Sequence, residues 1–173
     1  MKSENKLDVV RVKLVLDRQL YSEQPLNNYS AVYELMKKEL IDYDREVFCI
    51  LNIQSDGRCI NMNIVSIGGL NQAIIEPREV FKSAILSNAD RIILVHNHPS
   101  GSVNPSKDDI RMTKRLAICG AMLGISICDH IIIGGRTGEL YSFAEHGLIE
   151  ELVSEAFNKK TSLCEENQKQ KQR

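Results

Sequence analysis

The run "RIILVHNH", from Arg91 to His98, does most to narrow what this chain can become. Four consecutive aliphatics are too few for a buried helix and suit a strand covered on both faces. Helical patterns stand on either side of it. Upstream, "EPREVFKSAILSN" opens with Pro77 at a first helical position and sets Val80, Phe81, Ala84 and Ile85 on one face. Downstream, "SKDDIRMTKRLAICGAMLG" opens with Ser106 in an S-x-x-D capping pattern, carries Ile110, Leu116, Ala117 and Leu123, and stops at Gly124. A covered strand between two amphipathic helices predicts an α/β sandwich.

The flanking sequence extends that pattern. "VVRVKLVL" alternates, with Val10, Val12, Leu14 and Leu16 on one side, and predicts an opening strand. "SAVYELMKKELI" places Val32, Leu35, Met36 and Leu40 at helical spacing, with a cap near Ser30. "EVFCILNI" and "RCINMNIVSI" read as strands of a hairpin turning at Asp56-Gly57. Beyond the second helix come a strand in "ISICDHIIIG", a turn, a short strand in "LYSF" and a closing helix in "LIEELVSEAF". One domain over residues 9–158 is expected, between a flexible start at 1–8 and a disordered polar tail at 159–173.

Charge and cysteine usage remove several function classes. A formal net charge of -1 offers no field to draw nucleic acid or an anionic membrane, although Lys82, Arg91, Arg111, Lys114, Arg115 and Arg136 leave a local DNA surface open. No apolar run approaches the roughly 20 residues of a bilayer span. The cysteines number five and form no CxxC pair, and "MKSENKLDVV" carries no signal-peptide pattern, which together point to buried thiols in a reducing cytoplasm. Monomer and homodimer are both compatible with the sequence.

Two of the four histidines, His96 and His98, stand where the covered strand ends. Side chains two apart in extended backbone face the same way, so both imidazoles reach one point just beyond the strand. Asp109, eleven residues after His98 in the first turn of the next helix, can be folded back to meet them. Two histidines and a carboxylate suit zinc and leave a position for water. Polar packing of a Pro- and Gly-rich loop is the competing reading of the same residues. Glu46, at the edge of "EVFCILNI", is a candidate base for a metal-activated water, or else a solvated acid among Asp42, Asp44 and Arg45.

Glu46, then His96-Asn97-His98-Pro99, Ser106 and Asp109, together resemble the motif of the JAMM/MPN-plus metalloproteases. "HNHPSG" followed by "DHIIIG" is similar to the bacterial RadC branch, over roughly residues 9–143 and without the helix-hairpin-helix region of longer RadC proteins. The resemblance implies an MPN/JAB-type, cytidine-deaminase-like fold: a mixed β-sheet sandwiched by helices in a single domain. It implies that His96, His98 and Asp109 hold zinc, and that Glu46 relays a proton during hydrolysis of a peptide or isopeptide bond in an unknown protein substrate. It assigns Ser106 as a donor to the oxyanion, where its simpler role is a helix cap. Asp108 is read as a helix-dipole acid. Asp129 and His130 are read as structural hydrogen bonders, or as contacts behind the ligands or to substrate. The RadC name also brings a DNA repair alternative, as a metal-dependent nuclease or accessory factor. A catalytically silent scaffold is a third reading.

Overall fold

The computed structural model describes residues 7–22, 29–68, 75–152 and 154. Its elements are α1 (Tyr29–Leu40), β1 (Val47–Ile53), β2 (Cys59–Ile67), α2 (Pro77–Leu86), β3 (Arg91–His98), α3 (Lys107–Leu123), β4 (Ser126–Gly134) and β5 (Leu140–Ser142). The five strands form one mixed sheet in the order β2-β1-β3-β4-β5. β1 runs antiparallel to both β2 and β3, β3 is parallel to β4, and β5 turns back antiparallel. Parallel pairing of β3 and β4 requires a crossover, and α3 is that crossover.

Both faces of the sheet are covered. Val80, Phe81 and Ala84 of α2 join Leu116 and Ala117 of α3 over Phe48, Ile50, Ile92, Leu94 and Ile132. Val32, Met36 and Leu40 of α1 cover Val47, Cys49, Leu51, Ile93, Val95, Ile131 and Ile133 on the other side. This is why Ile92 to Val95 are all apolar: alternate residues enter different cores and none is exposed. The α/β sandwich is therefore a three-layer arrangement with β3 near its centre. The hairpin turns where the Asp56-Gly57 pair predicts, with Gly57 at φ 87 and Gln54 N–H donating to Arg58 O at 2.9 Å.

Some expectations are corrected. Residues 9–16 form no strand. Val10, Val12, Leu14 and Leu16 are 77%, 71%, 46% and 74% exposed, because alternation marks a segment able to join a sheet but does not supply a neighbouring strand. α1 begins at Tyr29, one residue before Ser30, and the position that would cap it lies outside the described residues. Ile85 of α2 points outward and Ser83 is buried in its place; in α3, Leu123 and Ile110 are similarly exposed while Leu116 and Ala117 carry the packing. Among the described cysteines Cys49 is buried, and Cys59, Cys119 and Cys128 are partly so. The closing helix is present at 148–152, with Ile149 and Leu152 buried. The polar start over 1–6 and the tail from Lys159, with Cys164, lie outside the described residues. No helix of the described residues is long and apolar enough to cross a membrane.

Candidate metal centre

β3 carries the two histidines out of the core at its C-terminal end. His96 is fully buried, stacked against Phe48 of β1 with ring centroids 6.2 Å apart, while His98 lies at the rim with its side chain 12% exposed. The chain then turns sharply, since Gly101 N–H and Gly135 N–H both donate to His98 O, at 3.0 and 2.8 Å. Pro105 and Ser106 lead into α3. The Ser106 hydroxyl oxygen accepts from Asp109 N–H at 3.1 Å, and the Asp109 carboxylate accepts from Ser106 N–H at 2.7 Å. This reciprocal cap, legible as S-x-x-D, turns the Asp109 side chain back over the helix N-terminus. It brings Asp109 to the histidines.

The resulting geometry is tight. Nε2 of His96 lies 3.0 Å from Nε2 of His98. Asp109 Oδ1 lies 3.3 Å from His96 Nε2, and Oδ2 lies 3.6 Å from His98 Nε2. A tetrahedral ion bonded at about 2.0–2.1 Å spaces its ligand atoms about 3.3 Å apart, which matches this triangle. The donor chemistry matches as well. His98 Nδ1 is 2.8 Å from Ser102 O, a carbonyl that can only accept, so the ring hydrogen sits on Nδ1 and Nε2 is left as a lone pair. Electron-rich atoms thus converge with no hydrogen of neutral His98 between them, and these residues can hold a metal ion.

The electrostatics say the same. The neighbouring Asp109 carboxylate raises the His98 pKa, opposed by partial burial and assisted by the Ser102 contact. Burial lowers that of His96, against the pull of Asp109. Burial alone would raise the Asp109 carboxyl, but the nearby His96 and His98 rings and the Ser106 N–H hold it well below the usual carboxylate range. A fixed anion therefore faces one neutral imidazole and one that draws in positive charge. Proton and metal compete for the same place.

Glu46 immediately precedes β1 and stands two positions before Phe48, which pairs with His96 across the antiparallel β1–β3 ladder, so the register brings its backbone alongside the end of β3 that bears the histidines. Gly68 N–H donates to Glu46 O at 2.8 Å, and Asn97, between the two histidines, braces the residues on either side. Alternation along β3 sends this side chain to the opposite face, where its Oδ1 accepts from Val47 N–H at 2.7 Å and its Nδ2 donates to Arg45 O at 3.1 Å. The backbone on both sides of Glu46 is thereby tied to the strand that bears the ligands. Sequence reasoning assigned Asn97 no such part.

The structure places His130, read from the sequence as a hydrogen bonder or a contact behind the ligands, and adds Thr113, which the sequence did not single out. His130 of β4 places Nε2 2.8 Å from His96 Nδ1, and Thr113 of α3 places its hydroxyl 2.6 Å from His130 Nδ1. His130 thus stands behind a ligand. Thr113 follows Asp109 by four positions and shares its helix face, the one signal that could have drawn notice to it. Asp129 is structural: its carboxylate accepts from Tyr33 and Ser142 hydroxyls and from His130 and Ala144 N–H, at 2.7–2.9 Å. Asp108 is exposed and pairs with Arg111 at 2.7 Å, away from the site.

The family comparison agrees with this geometry. The model of the RadC-like JAB domain matches residues 26–148. A UPF0758 protein of Syntrophomonas wolfei is 48% identical over 112 residues, covering 65% of this chain and 48% of its own length. One of Chlorobium chlorochromatii is 43% identical over 138 residues, covering 78% and 61%, and one of Methanosarcina mazei is 40% identical over 132, covering 75% and 57%. The chain spans about half to three-fifths of the length of these relatives. Glu46, the two histidines, Ser106, Asp109 and His130 all fall within the matched span, and the chain belongs to the RadC-like JAB domain family.

Proposed function

We propose that this chain is a zinc-dependent hydrolase of peptide or isopeptide bonds. The observation that carries the reading is the convergence of His96 Nε2, His98 Nε2 and the Asp109 carboxylate beside Glu46. Two imidazoles and one carboxylate favour zinc over magnesium or calcium, which prefer all-oxygen sites. Zinc bound there supplies Lewis acidity toward water and a carbonyl oxygen. Glu46 takes the proton of the attacking water and returns it to the leaving amine. Asn97 keeps the Glu46 backbone fixed while this happens. Ser106 uses an oxygen lone pair to cap α3, so its hydrogen can be offered to the developing oxyanion.

A DNA-directed role draws less support. Of the basic residues that could form a local surface, Lys82, Arg91, Arg111 and Arg115 pair with Glu79, Asp90, Asp108 and Glu76. Their charge is largely answered within the protein.

The test is hydrolysis of quenched peptide and isopeptide libraries by zinc-loaded protein, with Glu46→Gln and Ser106→Ala alongside. Glu46→Gln should keep its zinc and lose on the order of 10²–10⁴-fold in rate. Ser106→Ala should lose on the order of 10²–10³-fold if it serves the oxyanion. Turnover by Glu46→Gln at the wild-type rate would overturn the mechanism.

A further inference from the structure

Thr113 and His130 are joined to the metal centre by a chain of hydrogen bonds that has only one consistent direction. Thr113 Oγ1 lies 2.6 Å from the backbone oxygen of Asp109, one turn earlier in α3. A carbonyl cannot donate, so the threonine hydrogen is used there. Thr113 Oγ1 also lies 2.6 Å from His130 Nδ1, and with its own hydrogen spent it can only accept. His130 therefore carries its hydrogen on Nδ1. A neutral imidazole has one ring hydrogen, so His130 Nε2 is bare and accepts from His96 Nδ1 across 2.8 Å. His96 in turn keeps no hydrogen on Nε2, the atom 3.0 Å from His98 Nε2 and 3.3 Å from Asp109 Oδ1.

We infer that Thr113 and His130 are positioning residues of the metal centre, with the Thr113 hydroxyl deciding which nitrogen of His96 is available as a ligand. The inference rests on the metal-binding part of the proposed function. Three observations make the relay rigid. Thr113, His130 and His96 are all fully buried, so water cannot substitute for a missing partner. The His130 ring is stacked on Phe143 with centroids 4.6 Å apart, and its edge meets Phe48, which also stacks on His96. Both rings are held against aromatic neighbours. Finally, a single helical turn supplies both the Asp109 ligand and the Thr113 acceptor, so α3 fixes the first and last members of the network together.

A threonine kept only to satisfy a helix carbonyl would behave differently when replaced. In Thr113→Val the shape is retained and the acceptor is lost, leaving His130 Nδ1 against a methyl group. The relay then reverses: His130 carries its hydrogen on Nε2 and donates to His96 Nδ1, and His96 carries its hydrogen on Nε2, aimed at Asp109. That hydrogen occupies the place of the metal. Thr113→Ser restores the hydroxyl and the original direction.

The experiment pairs zinc affinity, by competition with a chromophoric chelator, with long-range ¹⁵N–¹H spectra that report the imidazole tautomers of metal-free protein. Wild type and Thr113→Ser should show His96 and His130 protonated at Nδ1 and should bind zinc within about threefold of each other. Thr113→Val should bind on the order of 10–100-fold more weakly and show both rings protonated at Nε2. A wild-type His130 protonated at Nε2 would overturn the relay whatever the metal does. A Thr113→Val protein that binds zinc as wild type does would overturn the positioning role while leaving the metal site standing. A folded wild type that binds no zinc would sink the metal reading and the positioning role with it.

Discussion

Asp109→Asn separates the carboxylate's part in folding from its part in holding metal. In the native site Oδ2 accepts from Ser106 N–H at 2.7 Å while Oδ1 faces His96 Nε2 at 3.3 Å. An asparagine can keep its oxygen on Ser106 N–H and turn its amide hydrogens toward the His96 lone pair. The cap survives, but a carboxylate that its surroundings hold ionised is lost, so the metal-free variant should be less stable than wild type by about 1–3 kcal/mol. With metal the two should part further. At a free zinc concentration a thousandfold above Kd, binding stabilises the wild type by about 4 kcal/mol. At about 2–4 °C per kcal/mol for a chain of this size, Tm rises by about 8–16 °C. Removing the charged partner of a buried ion costs about 3–5 kcal/mol, near a thousandfold in affinity, so the same zinc concentration should stabilise the variant by only about 0.4 kcal/mol. The assay is thermal unfolding by circular dichroism with and without zinc. A zinc-induced rise in the variant as large as that of wild type would refute the assignment of Asp109 as a ligand.

Three further outcomes follow from particular contacts. Asn97→Ala orphans the buried Val47 N–H and frees the Arg45 to Val47 backbone, so urea unfolding should show a loss of about 1–3 kcal/mol, with zinc affinity little changed. Burial lowers the pKa of His130 and of His96, so below their unfolded value of about 6.5 the unfolded chain takes up protons that the native state refuses. The part of metal-free stability owed to these two histidines should therefore be full above pH 6.5, and should fall by about 1 kcal/mol for His130 alone on going to pH 5.5. His98, whose pKa is raised, gives up its contribution mainly as pH rises above 6.5 and offsets little of this loss; a flat stability profile between pH 6.5 and 5.5 would contradict the buried neutral histidines. Gly120→Ala would place a Cβ 2.3 Å from Ile125 O and 3.2 Å from Phe81 Cζ, forcing α3 from β4 at a cost on the order of 3 kcal/mol, seen as a lowered urea midpoint.

What the sequence made legible was local. Period-two spacing in "VHNH" and the S-x-x-D cap locate His96, His98 and Asp109 because each pattern is a property of one strand or one helical turn. The same kind of pattern misled at Val9 to Leu16, where alternation has no neighbouring strand to answer it, and at Ile85, where helical spacing alone did not distinguish the core face from its border with solvent. Asn97 and His130 act on neighbouring strands, on partners at positions 45 and 47 and at 96, and Thr113 reaches His130 of β4 from α3. The sequence singles out His130 and sets Thr113 on the helix face of Asp109, but it names none of these partners. They depend on how β1, β3, β4 and α3 are brought together, and that is tertiary information.

The Asn97 brace also bears on how easily activity could be lost over evolutionary time. The three candidate ligands come from one contiguous stretch of fourteen positions, whereas the candidate base arrives just before β1, its backbone held by the Asn97 amide and by Gly68 N–H donating to Glu46 O at 2.8 Å. On the proposed chemistry, a lineage could retire turnover through one codon, at Glu46, and still inherit the fold and the three residues able to hold a metal ion. Descendants of that kind would keep the same outward shape, free to be used as a docking piece. On that reading, turnover in a given member is better judged from the residue at position 46 and its brace than from the more conspicuous histidines.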